Sequence, residues 1–425
     1  MNKKSLEKSV WIFSHYSADP RYNSGLRYFN WAKELLKRGY KVTVFCASTI
    51  HSAAKTVNVI TSSDPYKIED YQGVRYVYVK CSDYAGNGIK RILNMWEFAR
   101  KLKRVYKHFD KPDIIIGRLP HVWCGNTAWK ASKFYGVPLV CDIADLWPEG
   151  FVEHMNVSKR NPAVKYYNYL EHRMYKRANA LVFSMAGGKQ LLKDKGWNDV
   201  DVQKVFHINM GVDLAKYDDD SIKYKKEYPE LADSSLFKVS YCGSIRLINY
   251  VSTICEAAKK LSDKGIDNVF FSIHGYGDKE NELKEYCRVN KLTNIRFFGK
   301  IKKEEIPYVL NHSDVIVLSY HETPLYRYGG SMSKMFEAFA SGKPVLSNVH
   351  MGYSLIEKYR CGIVSEENTS EAIAEAVLRL MNMSTAEREE MGRNGRKCAE
   401  DYDQPRLVDQ LESVFHFVLK GKNND

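Results

Sequence analysis

Short apolar runs, rich in β-branched and aromatic residues, alternate along the chain with longer stretches whose apolar positions recur every three or four residues. In the first half the runs fall at 9–15 (SVWIFSH), 41–47, 74–80, 113–117, 138–143, 180–185 and 204–209. In the second half they fall at 237–243, 268–275, 295–299, 314–320, 344–348 and 361–365. Runs of this length suit strands covered on both faces, and the helical stretches between them predict parallel βαβ units. One such stretch is 25–39 (GLRYFNWAKELLKRG), with Gly39 placed to end a helix. Further on, the periodicity predicts helices over 251–264, 278–290, 303–311, 332–341, 369–382 and 385–400, and an amphipathic one over 406–420 after Pro405. Between the two series, residues 213–236 are polar and lack apolar periodicity, which predicts a linker. The expected fold class is α/β: two doubly wound, Rossmann-like domains facing across a cleft, 1–212 and 213–402, with 403–425 as a C-terminal helix crossing back toward the first. Such sheets bind ligands beyond the carboxyl ends of their strands, so chemistry is expected in strand-end loops.

Composition trims the alternatives. A chain of 425 residues with 44% hydrophobic and 27% charged residues is neither disordered nor fibrous. No apolar run approaches the roughly 20 residues of a membrane-spanning helix. The apolar stretch of MNKKSLEKSVWIFSHY breaks at Ser14–His15, so no signal peptide is expected. The nine cysteines stand singly, without CxxC spacing, which suggests buried thiols in a reducing cytoplasm rather than zinc or disulfides. The excess of 64 Lys+Arg over 51 Asp+Glu, +13, calls for an anionic partner: nucleic acid, an anionic membrane face or phosphorylated small molecules. Two segments concentrate that charge. Residues 88–109 carry Lys90, Arg91, Arg100, Lys101, Lys103, Arg104 and Lys107 beside Ile92, Leu93 and Trp96, and residues 158–179 mix Lys165, Arg173, Lys176 and Arg177 with four tyrosines. Basic amphipathic helices suit an anionic membrane surface. No nucleic-acid-binding module is recognisable, so nucleic acid is not an expected partner.

The richest stretch chemically is 321–348, HETPLYRYGGSMSKMFEAFASGKPVLSN. A strand runs into a loop ending YGGS, and a helix then carries Lys334 and Glu337. Gly329 and Gly330 permit close approach of backbone N–H groups to a ligand, and a helix N-terminus favours phosphate. Lys334 adds a point charge for phosphate, and Glu337, one turn on, suits a vicinal diol such as ribose. In the first half, DIADLWPEG (142–150) follows a strand and offers Asp142, Asp145 and Glu149 on one loop or short helix. His121, in RLPHVW, follows another strand, and YNSG (22–25) precedes a helix.

The order strand, loop, helix with a Glu, then A-x-G-K-P-V-L resembles the donor-nucleotide element of retaining GT-B glycosyltransferases of family 4. YGGSMSKMFEAFASGKPV is similar to the form found in bacterial O-antigen and capsule enzymes of the fucosamine-transferase-like branch. Further matches follow in order at 15–45, 142–153, 207–217 and 361–377. The resemblance implies that Glu337 holds the ribose and that Gly329, Gly330 and Ser331 face sugar and phosphates. It implies that the loops around Gly243, Gly299 and Ile301 line the nucleotide, and that Gly25 lies near the donor diphosphate or acceptor. Asp145 first and Glu149 second are the implied catalytic carboxylates, with His121 a third candidate. Two departures stand out. The family's first glutamate falls on Gly329, and its basic clamp after the Gly falls on Ser244 and Asn249. Stabilising a departing diphosphate needs cations or strong donors, so that work goes to Arg246 and Lys334, with Asn249 as a neutral donor.

The expected function is metal-independent, retaining transfer of a sugar, with no cofactor beyond a UDP-type nucleotide sugar, to a lipid-diphosphate-linked glycan at the inner face of the cell membrane. DDD (218–220) lies in the expected linker and is not read as a metal site. The alternatives are a sugar-nucleotide epimerase or phosphorylase on the same scaffold, or a non-catalytic subunit that binds a sugar nucleotide or a membrane.

Overall fold

The computed structural model describes residues 8–22, 26–50, 57–84, 86, 88–119, 121–154 and 157–421. It divides into two compact units, Met1–Asn209 with Gln404–Asp425, and Met210–Asp403.

In the first unit, β1 (Ser9–Phe13), β2 (Lys41–Ala47), β5 (Tyr66–Tyr71), β6 (Val74–Val79), β7 (Ile114–Leu119), β8 (Leu139–Ile143), β9 (Ala180–Phe183) and β10 (Val205–His207) form one sheet in the order β10-β9-β8-β7-β1-β2-β6-β5. β3 (Thr49–Ile50) and β4 (Val57–Asn58) pair separately as a short ribbon. Every neighbour in the large sheet is parallel except β5, which returns antiparallel to β6 through Gln72 and Gly73, both at positive φ (51° and 82°). Apolar patterning gave no sign of β5. It is an edge strand, YKIEDY, with no buried residue. The last helix, Gln404–Lys420, belongs to this unit. Its Leu407, Val408, Leu411, Val414, Phe415 and Val418 are buried, and it packs on the helix Arg27–Lys37. Arg38 pairs with Asp409 at 2.7 Å and with Glu412, fixing the docking angle.

In the second unit, β11 (Phe237–Cys242), β12 (Val269–His274), β13 (Ile295–Gly299), β14 (Val315–Leu318), β15 (Val345–Ser347) and β16 (Gly362–Val364) form an all-parallel sheet ordered β13-β12-β11-β14-β15-β16. Both faces are packed. Val315 and Val317 enter one apolar cluster with the helices Ser252–Asp263 and Ser370–Asn382, while Ile316 and Leu318 enter another with Phe336 and Phe339. That is why these strands read as unbroken apolar runs. In each unit the strand order reverses beside the first strand, between β1 and β7 and between β11 and β14. Connections leave such a point in opposite directions and open a crevice at the carboxyl ends.

The expected linker at 213–236 is corrected. Leu214–Lys223 is a helix, N-capped by Asp213, whose carboxylate accepts from the Lys216 N–H at 3.0 Å. Buried Leu214 and Tyr217 anchor it, and the Tyr217 hydroxyl donates to Asn311 at 3.0 Å. Two apolar residues three apart leave little periodicity, and tertiary packing supplies the rest. The three aspartates are engaged in ion pairs: Asp218 with Arg396, Asp219 with Lys223 and Asp220 with Lys216.

Candidate functional site

At the switch point of the second unit, the loop after β11 is stitched to the loop after β14. The Ser319 hydroxyl donates to the Tyr250 carbonyl at 2.9 Å, and the His321 N–H donates to the Ile248 carbonyl at 2.9 Å. On the far side, the Gly243 N–H donates to the His274 carbonyl (2.8 Å) and the Gly275 N–H to the Gly299 carbonyl (2.8 Å), so Gly243, Gly275 and Gly299 lie on adjacent strand ends. The approach is close enough to demand glycine. A Cβ on Gly275 would fall 1.7 Å from the Gly243 carbonyl oxygen, and one on Gly277 would fall 2.0 Å from that of Ile245.

Lys334 comes from the helix Ser333–Ala340, which starts after Met332 with no side-chain cap on its first amides. Its ammonium lies over Gly243, where a Cβ would stand 2.4 Å from Nζ, and it donates to the Tyr241 hydroxyl at 3.2 Å. Burial lowers its pKa to about 8, against the opposing pull of Glu337. Burial likewise raises the Glu337 carboxyl, with Lys303 and Lys334 pulling the other way. Lys334, over Gly243, and Glu337, three residues on along the same helix, are a half-buried cation and a half-buried carboxylate.

The depressed Lys334 value carries a prediction. For the UDP-type donor expected from the sequence, a diphosphate held by this ammonium needs it charged, so affinity for UDP should fall as pH rises through about 8, at most tenfold per pH unit. Stability should move the other way. The unfolded lysine binds its proton up to the ordinary 10.5, so the burden of burying the charged form lifts between about 8 and 10.5. Titration calorimetry from about pH 7 to about pH 9.5 checks the affinity profile, which Lys334→Arg should flatten because arginine stays charged. A wild-type profile that is already flat would remove Lys334 from the ligand.

The remaining second-unit candidates vary. Gly329 has φ 101° and ψ 169°, a conformation that strains any residue with a Cβ. A glutamate therefore cannot replace Gly329 on this backbone, and the departure from the family pattern is a different loop rather than one missing side chain. Gly330 packs against Met351, whose sulfur would stand 2.3 Å from an added Cβ. Ser331 is half-buried just before the helix, and Ile301 is half-buried two residues past β13. Asn249 is buried, with its Oδ1 accepting from the Ser244 hydroxyl at 3.1 Å, a bond that holds its own loop and does not use the amide's N–H donors. Arg246 is exposed on the same loop.

At the switch point of the first unit, His121 N-caps the helix Val122–Tyr135. Its Nδ1 accepts from the Cys124 N–H at 2.9 Å, so the ring proton sits on Nε2. That Nε2 is buried with no partner inside ordinary hydrogen-bond distance among the described residues, while the Met95 backbone lies near enough to favour the charged ring. His15, from the end of β1, stacks on it at 5.2 Å and is held by Asn94 at 2.6 Å. Burial, then His15, pushes the His121 pKa well below the usual imidazole value. The site thus holds a neutral ring offering one N–H.

Asp142 is corrected: it lies inside β8, not on the following loop, and is fully buried. Arg27 clamps it through Nε (3.2 Å) and Nη2 (2.9 Å) and reaches on to the carbonyls of Ile208 and Asn209. Asp145, past the strand, has an exposed carboxylate 3.9 Å from Arg118. Glu149 opens the helix Glu149–His154 and pairs at 2.6 Å with Lys195, which also pairs at 2.6 Å with Glu171. Burial raises Glu171 to about 7. Glu149 is thereby committed to a charge cluster within its unit. Gly25 lies outside the described residues. Sequence reasoning did not single out His15, Tyr241 or Lys303. Only Tyr241 left a signal, as a polar ring at the end of an apolar strand.

No group of three or more His, Cys, Asp or Glu able to hold a metal occurs among the described residues, and none of the described helices is long and apolar enough to cross a membrane. All nine cysteines are free, and eight are buried, with Cys242 half-buried.

Residues 26–216 match the family described as Glycosyltransferase Family 4, and residues 227–398 that described as Glycosyl transferases group 1. The chain is 27% identical over 220 residues to the capsular polysaccharide biosynthesis glycosyltransferase CapM of Staphylococcus aureus, covering 51% of this chain and 55% of CapM. It thus spans about half the length of that curated relative. Among solved structures, sucrose-phosphate synthase from Thermosynechococcus elongatus superposes with a TM-score of 0.72 at 15% identity, covering 98% of this chain and 100% of that one. Alr3699/HepE of Anabaena, solved in complex with UDP and glucose, gives 0.66 at 14% identity over 96% and 99% of the two chains. The chain is thus built of two glycosyltransferase domains, family 4 followed by group 1, on the α/β two-domain GT-B fold.

Proposed function

We propose that this protein is a retaining, metal-independent glycosyltransferase. It moves a sugar from a UDP-linked donor to a lipid-diphosphate-linked glycan in capsule or O-antigen synthesis, at the inner face of the cell membrane. The observation that carries this reading is the Lys334 ammonium over Gly243 at the switch point of the second unit, with the Glu337 carboxylate three residues on along the same helix. A cation against the diphosphate and a carboxylate one turn away against the ribose are what a nucleoside diphosphate needs. Similarity to CapM, a capsular polysaccharide biosynthesis glycosyltransferase, and to HepE, solved in complex with UDP and glucose, supports the pathway and the donor.

In the proposed reaction, the bond from sugar C1 to the diphosphate oxygen breaks as the acceptor oxygen bonds to C1 on the same face. The acceptor proton passes to the departing phosphate. Lys334 and the uncapped amides of its helix stabilise the charge that builds on the diphosphate, with Arg246 as a second, exposed cation. Gly329, Gly330 and Ser331 line the sugar and phosphates, Asn249 holds the β11 loop, and the backbone near Gly299 and Ile301 meets the base. The His121 Nε2–H donates to a substrate hydroxyl, which a neutral imidazole does without losing its proton. Asp145 orients the acceptor hydroxyl. Glu149, tied to Lys195, holds the loop that carries Asp145.

The basic faces over 88–109 and 158–179 hold the enzyme on an anionic membrane. Their helices, Ile89–Val105 and Pro162–Arg177, leave Ile89, Ile92, Leu93, Trp96, Tyr166 and Tyr169 exposed among the cations, the combination that binds such a surface.

Incubation with a panel of UDP-sugars, with and without a lipid-diphosphate-linked glycan and with and without EDTA, tests the proposal. Donor consumption that requires acceptor, yields the retained anomer and survives EDTA is the expected result. Isomerised donor without acceptor would make the protein an epimerase, and binding without turnover would make it a non-catalytic subunit.

A further inference from the structure

On the first unit, the helix Ile89–Val105 packs on the helix Val122–Tyr135, which in turn packs on the helix Pro162–Arg177. A cavity of about 250 Å³ lies between the last two. Its walls include Trp123, Trp129 and Tyr166, its charged groups are Lys130, Arg173 and Arg177, and no acidic residue lines it. The Arg177 guanidinium lies over the Trp129 ring at 3.9 Å, and Arg173 donates to the Tyr169 hydroxyl at 3.3 Å.

These cations crowd one another. Burial, then Arg173, lowers the Arg177 pKa, and burial, then Lys130, lowers that of Lys103 on the neighbouring helix. Among the described residues, none of Lys103, Lys130, Arg173 or Arg177 pairs with a carboxylate. Other cations on the same helices are matched: Lys101 with Glu97 at 2.6 Å, and Lys176 with Asp199 at 2.8 Å. Lys90, Arg100, Arg104 and Lys165 on the same helices also pair with no carboxylate among the described residues, so the cavity is the concave part of a wider positive face. Two guanidinium forks and an ammonium suit a phosphate. The aromatic walls, and the exposed Ile89, Leu93 and Trp96 in the same helical layer, suit an apolar tail attached to it.

We propose that this cavity is a binding site for the phosphate headgroup of an anionic phospholipid, one lipid per chain. The choice of occupant rests on the membrane reading above, to which the cavity adds a discrete seat.

The test uses the full chain and short-chain phosphatidylglycerol, titrated calorimetrically below its micelle-forming concentration, with inorganic phosphate as a parallel titrant. Saturable binding near one lipid per chain is expected. Arg173→Gln with Arg177→Gln should weaken it about tenfold or more, while Lys189→Gln with Lys193→Gln, on the helix Gly188–Asp194 outside both basic segments, should leave it within about twofold. Both pairs of side chains reach solvent, and unchanged melting temperatures would certify the folds. Absence of saturable lipid binding, or equal loss in both variants, would overturn the proposal. So would equal affinity for inorganic phosphate, which would assign the cavity to the free anion. A parallel flotation assay on phosphatidylcholine vesicles with and without phosphatidylglycerol separates the two readings. Anionic-vesicle binding that persists when the double glutamine variant has not lost monomeric lipid keeps the membrane reading and overturns the pocket. Saturable, variant-sensitive lipid binding without vesicle binding supports the pocket and overturns the membrane reading.

Discussion

Glu337→Ala should reduce UDP affinity by roughly 10²- to 10⁴-fold, the equivalent of about 3–6 kcal/mol for two hydrogen bonds to a charged acceptor. The free protein should melt no lower than wild type. Burial raises the Glu337 carboxyl, so in the empty site the charge burdens the fold rather than stabilising it. Affinity and stability therefore part company, which a merely structural carboxylate would not allow. Glu337→Gln, keeping an acceptor oxygen without the charge, should fall between. Calorimetric titration with UDP and a melting curve for each variant check both halves. Unchanged UDP affinity in Glu337→Ala would detach this residue from the donor.

The largest stability effect should come from Asp142→Ala. It leaves the Arg27 guanidinium, 7% exposed, with only the carbonyls of Ile208 and Asn209 from this set of contacts. The Tyr28 hydroxyl also loses its acceptor. Removing one partner of a buried pair costs about 3–5 kcal/mol, which in a unit of this size lowers melting by roughly 6–20 °C. The double variant Arg27→Met, Asp142→Leu should recover much of the loss, since no charge is then stranded. Calorimetric melting of wild type, Asp142→Ala and the double variant checks both statements. Equal melting of Asp142→Ala and wild type would show that the clamp adds nothing. The clamp joins β8, the helix Arg27–Lys37 and the end of β10. Its loss should therefore also disturb the position of Asp145, three residues on.

Much of the fold was legible because these parallel strands are buried on both faces. Burial of that kind writes itself into sequence as a short unbroken apolar run, as in VIVL at 315–318. The elements that escaped notice lack that imprint. β5 is an edge with a polar sequence, and the helix Leu214–Lys223 is anchored by two apolar side chains. The second-unit site was legible for a similar reason. Lys334 and Glu337 stand on one helix, three residues apart, and the glycines before them mark a strand-end loop, so the geometry is local. DIADLWPEG was less legible because three nearby acids have three distant partners. Arg27 takes Asp142, Arg118 lies by Asp145 and Lys195 takes Glu149, from elements far apart in the chain.

What the sequence determined by itself was thus the order of strands and helices, the loops at their ends and the residue types those loops offer, all set by periodicities within a few residues. The tertiary structure decided which charges are consumed in holding the fold and which remain to meet a ligand. It buried Lys334 enough to bring its pKa near 8, left the His121 Nε2–H with no partner inside ordinary hydrogen-bond distance among the described residues, and locked Glu149 to Lys195. A side chain's protonation and availability depend on the solvent removed from it and the charges brought beside it, and both come from residues that only the folded chain makes neighbours.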